Sequence, residues 1–119
     1  MTVMEAIAAI DNLKHNTYSF EDKVRWLSTL DGRVAVTIMN MPSWIGTGYD
    51  PKTDGEMMLL IPSPYDEIYL RWLEAQIDYA NGEYSRYNNS IDVFNTVWAE
   101  YQNYYNRSVR QPKKKYRYF

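Results

Sequence analysis

Apolar residues return every three or four positions in four separate stretches, and each stretch predicts a helix. Val3, Met4, Ile7, Ile10 and Leu13 make the first, which runs to Lys14 and His15 before Asn16 and Thr17 break it. Thr2 and Glu5 stand in the T-x-x-E spacing of a capping box, and the basic groups at the far end suit the negative pole of the helix. Ser19 opens the second, with Phe20, Val24, Leu27, Leu30, Val34 and Ile38 on one stripe. Asp31-Gly32 falls inside that stripe, but the apolar phase carries across it, so the glycine reads as tolerated within a helix rather than as a turn. Ser63-Pro64 restarts helix formation, with serine at the cap, proline in the first turn and Asp66 and Glu67 near the positive pole. Ile68, Tyr69, Trp72, Leu73, Ile77 and Ala80 give its apolar face, and Asn81-Gly82 reads as its C-cap. The fourth has the most regular pattern: Tyr84, Tyr87, Ile91, Phe94, Trp98, Tyr101 and Tyr105 alternate steps of three and four. That seam is about 33 Å long and suits two partners, the preceding helix in an antiparallel hairpin or another subunit. Val97 and Tyr104 widen the stripe enough for both. The expected class is all-α, a small bundle of about four helices.

Residues 40–63 break the pattern. Pro42, Gly46, Gly48, Asp50-Pro51 and Asp54-Gly55 are closely spaced turn signals, with Trp44 and Tyr49 among them. Met57 to Ile61 is a short apolar run suited either to a strand or to an extended path across the helices. A connection this long in a small domain usually carries a function, and reaching a neighbouring molecule is the expected one here.

Charge divides the chain differently. Residues 1–106 hold fifteen carboxylates against seven Lys and Arg, a balance of −8. Residues 107–119 hold six cations and no acid. The expected organisation is therefore a helical domain over 1–106 and a basic tail over 107–119. An acidic body with a basic tail invites an acidic partner, either another copy or nucleic acid. Within the tail, Tyr116, Tyr118 and Phe119 are interleaved with Arg107, Arg110, Lys113, Lys114, Lys115 and Arg117. That composition suits a protein groove first, a disordered tail second, and base stacking with phosphate contact last. Aromatic residues reach 16% of the 119, including twelve Tyr and four Trp. Side chains with an apolar face and a polar tip serve equally as core and as contact surface. The expected contact residues are Trp44 and Tyr49 of the loop together with the tail cations and aromatics just named.

Candidate chemistry is sparse. The absence of cysteine excludes a disulfide framework, a thiolate nucleophile and cysteine-ligated metals, and the single His15 excludes a multi-histidine site. Asp50 to Gly55 has the first, fifth and sixth residues of a calcium loop, but Lys52 takes the third place and Ile61 the place of the bidentate glutamate. Gly46 and Gly48 lack the third glycine of a dinucleotide loop, since Pro51 stands there. Asp66 and Glu67 are adjacent on a helix and do not face the same way. Asn88-Asn89-Ser90 and Asn106-Arg107-Ser108 match a glycosylation acceptor by chance, given no secretory signal. No apolar run reaches the roughly 18 residues of a membrane span. The expectation is an intracellular, soluble, non-enzymatic protein without cofactor or metal.

The stretch from Pro62 to Arg107 resembles the small head–tail connector proteins of tailed bacteriophages, also called head-completion or neck adaptor proteins. The resemblance lies in the PYDE-x-Y opening, the AQIDYANGE hinge and the RYNNS-x-x-x-FN run. The upstream YSFEDKVRWLSTLDGRV looks like that family's second helix. The resemblance implies a helical protein without enzymatic activity, assembled as a ring, commonly of twelve copies, beneath the portal protein in the virion neck. It implies a docking surface for the next neck or tail-completion protein, passage of DNA through the channel without sequence-specific binding, and assembly in the host cytoplasm. The alternatives are another phage assembly or tail-completion protein, and a small nucleic-acid-binding protein acting through the tail.

Overall fold

The computed structural model describes residues 1–41, 44 and 48–110, with 109 and 110 described by backbone alone. Among the described residues there are four α-helices: α1 (Val3–Leu13), α2 (Phe20–Arg33), α3 (Glu67–Ala80) and α4 (Tyr84–Tyr105). A π-helical turn, Val34–Ile38, continues α2, and a second, Asn106–Arg110, continues α4. The expected all-α class is observed.

The local signals act largely as read. Thr2 Oγ1 accepts the Glu5 amide at 3.1 Å while Glu5 Oε1 accepts the Thr2 amide at 2.8 Å, closing the capping box. Ser19 Oγ accepts the Asp22 amide at 3.0 Å and so starts α2. α2 runs unbroken through Gly32, with Val24, Leu27, Leu30, Val34 and Ile38 all buried. At the end of α3, Gly82 takes φ +76°, its amide donates to Tyr79 C=O, and the Glu83 amide donates to Asp78 C=O. Those two bonds are a Schellman motif, and they reverse the chain into α4.

Two expectations are corrected and one alternative is resolved. Ser63 does not cap α3: the chain first turns, with the Tyr65 amide on Pro62 C=O, and the helix begins at Glu67 behind Asp66. Of the two paths expected for Met57 to Ile61, the extended one is observed and the strand is not. The segment lies extended beside residues 1–4, joined by one antiparallel bridge, Thr2 to Met58, because the N-terminal segment turns into α1 after a single pairing. Met4, Leu13, Phe20 and Ala80 hold apolar phase positions yet are exposed, since each stands near a helix end beyond the reach of the facing helix.

α3 is the centre of the packing, with α1, α2 and α4 all against it. Ile68, Tyr69, Trp72, Leu73, Ala75 and Ile77 are buried along it. The α4 seam packs on α3, so the antiparallel hairpin is the observed use of the pattern. Aromatic rings fasten the two, Trp72 meeting Phe94 at 5.1 Å and Tyr79 meeting Tyr87 edge-on at 5.2 Å, while Tyr65 in the turn before α3 stacks on Tyr104 at 4.8 Å. Only Ser90, Phe94 and Tyr101 of the 22 residues of α4 are buried, so most of its circumference is open.

Candidate interaction surface

Helix α2 organises the surface because its two faces do opposite things. The inward face carries Asp31 in phase with Val24, Leu27, Val34 and Ile38, and the carboxylate is fully buried. Tyr49 Oη donates to Asp31 Oδ2 at 2.5 Å, Tyr69 Oη donates to Oδ1 at 2.6 Å, and the Leu60 amide donates to Oδ2 at 3.1 Å. Tyr69 Oη in turn accepts the Ile61 amide at 2.7 Å. One carboxyl group thereby ties both ends of the described 48–61 segment to α2 and α3. Removal from water pushes the Asp31 pKa up, against the opposing pull of the three donated hydrogen bonds. The same burial, reinforced by the neighbouring carboxylate, pushes the Tyr49 and Tyr69 hydroxyls up, so both stay protonated donors. Tyr101 is pushed up to about 12, first by burial.

The expected contact residues of the loop come together on the outer side of this knot. Trp44 and Tyr49 meet edge-on at 5.5 Å, and the Tyr49 amide donates to Ser28 Oγ at 2.9 Å. A Cβ built on Gly32 would lie 3.8 Å from the Trp44 ring, so the indole rests over the glycine. Tyr49 is thus half-buried with its hydroxyl committed internally, while Trp44 walls an open groove on α2 of about 580 Å³. Arg25, Gly32, Arg33 and Val36 also line that groove. Arg33 and Thr37 separate it from a second groove, about 310 Å³, bordered by Phe94, Trp98 and Gln102.

The tail residues are not joined to this surface by any contact among the described residues. Arg107 is exposed beyond the end of α4, and Arg110 is described by its backbone only. Lys113, Lys114, Lys115, Tyr116, Arg117, Tyr118 and Phe119 lie outside the described residues, as do loop residues 42, 43 and 45–47. His15 is exposed past the end of α1. Among the described residues no three His, Cys, Asp or Glu side chains cluster as metal ligands, and no helix is long and apolar enough to cross a membrane.

Sequence reasoning missed Asp31, Arg33 and the groove on the outer face of α2. The signal for Asp31 was present, since a charged residue kept step with a buried stripe. Nothing in the spacing marked Arg33. Its guanidinium lies 5.7 Å over the Trp72 ring, a contact between residues far apart in the chain. No protein-family model, curated protein or solved structure matches the chain.

Proposed function

We propose that this protein is a structural connector of a tailed-phage neck, assembling as a ring beneath the portal protein and carrying out no bond chemistry. The reading rests on the resemblance of residues 62–107, and those residues form the complete α3–α4 hairpin with the AQIDYANGE hinge at its Schellman turn. The carrying observation is that α4 is fastened along one side only, leaving a long helical face uncovered in the isolated chain. Ring assembly needs such a face, because each copy must present one surface to its left neighbour and a different one to its right. The acidic body adds a surface for basic segments of another chain.

Mixing the protein with portal complexes and imaging the product tests this. Added ring density below the portal is the expected result, and an unaltered portal overturns the proposal. The six cations of residues 107–119 favour a second reading, direct DNA contact. That reading requires binding that weakens steeply with salt and disappears when residues 107–119 are removed. DNA whose mobility stays unchanged at low salt removes it.

A further inference from the structure

The outer face of α2 carries Arg25, Thr29, Gly32 and Val36 at steps of four, three and four, opposite the buried stripe. The Trp44 ring covers Gly32 on that face and forms one wall, and Arg25 and Arg33 lie along the groove. Arg25 meets only Asp22 of its own helix, at 2.6 Å, and Arg33 meets no carboxylate among the described residues. This is a cationic groove on an otherwise acidic body.

The outer face of α4 has the opposite character. Asp92, Val93, Thr96 and Glu100 are all exposed, Val93 by 44%. Neither Asp92 nor Glu100 meets a cation among the described residues. The two arginines are eight residues apart on one helix and the two carboxylates eight apart on the other, so each pair spans about 12 Å along its axis. Charge sign and spacing match. Thr29 and Thr96 stand midway between the charges of their own pairs, each with its hydroxyl turned back to the carbonyl four residues earlier.

We infer that the α2 groove of one copy receives the outer face of α4 from a second copy. Val93 seats in the groove between the Trp44 wall and Val36, and Asp92 and Glu100 pair with the two guanidinium groups. The surfaces lie on different helices, so the contact is heterologous and each copy keeps one unused half for the next. The inference rests on the ring reading above and names the surfaces that would close it.

Because the chain has no cysteine, single cysteines report the contact directly. The full chain with Thr29→Cys is mixed with the full chain carrying Thr96→Cys and oxidised gently, with helicity checked by circular dichroism. The expected product is the mixed disulfide dimer, formed well ahead of either variant linked to itself, whichever way the helices run. Adding Arg25→Glu and Arg33→Glu to the first copy should cut the mixed product ~10-fold, and adding Asp92→Lys and Glu100→Lys to the second should restore it. Equal linking of like and unlike copies, or indifference to both reversals, overturns the contact. If rings then still form below the portal, only the contact falls. If the unaltered chain also fails to associate there, the connector reading falls with it.

Discussion

Asp31 and Asp78 are both buried carboxylates held against α3, and their surroundings differ in one respect. Asp78, near the C-terminal end of α3, faces the Lys14 ammonium at 2.8 Å through Oδ1, an ionic contact rather than an aligned hydrogen bond. Its Oδ2 accepts from the Ser90 hydroxyl. Asp31 faces two phenols and an amide, and among the described residues no cation comes near it. The first is a charge pair that clasps α1, α3 and α4. The second is a hydrogen-bonded knot that fastens an irregular segment, where the donors themselves satisfy backbone and side-chain groups that would otherwise be orphaned. A cation serves where three helix surfaces meet. Neutral donors serve where the chain must be held in one path without regular structure.

The largest expected effect falls on the charged site. Lys14→Met leaves Asp78 uncompensated and should cost about 3 kcal/mol in urea unfolding, toward the low end for buried pairs because Lys14 is partly exposed. Tyr69→Phe should cost about 2 kcal/mol, since it strips a donor from Asp31 and an acceptor from the Ile61 amide together. A larger loss from Tyr69→Phe than from Lys14→Met would reverse the ranking and make the neutral knot the stronger fastening.

The pH dependence sharpens the same contrast. With its folded pKa raised above the unfolded value, Asp31 contributes most when protonated, and that contribution is lost as pH rises through the folded pKa. The melting-temperature advantage of the wild type over Asp31→Asn should therefore shrink as pH rises from about 4, because the variant cannot ionise there. An advantage that grows with pH instead would mean that the donors outweigh burial. Smallest is Ser90→Ala, about 1 kcal/mol, because Asp78 keeps its lysine; thermal unfolding would register it. A loss equal to that of Lys14→Met would show the hydroxyl to be the main partner.

Much of this architecture is legible in the sequence. The Thr2–Glu5 box, the Ser19 cap and the Asn81-Gly82 reversal are contacts within a few residues, so their spacing in the chain already contains their geometry. Ser63-Pro64 misled because the same residues that cap a helix also make the turn preceding one. The candidate surface was half legible. Trp44 and Tyr49 stood out among the turn signals, but the inward commitment of Tyr49 depends on a partner 18 positions away. Asp31 read as no more than a tolerated step within a helix because sequence order does not show which two phenols and which amide will converge on it.

Helix number, every helix limit with a local cap and the charge division between body and tail followed from the chain alone, since local hydrogen bonds and side-chain periodicity decide them. The start of α3 did not. Which stripe faced which, why α4 remained open around most of its circumference, and how one aspartate came to anchor a whole connection were settled only by tertiary packing. Those outcomes depend on long-range contacts, whose geometry is set by every element packing at once.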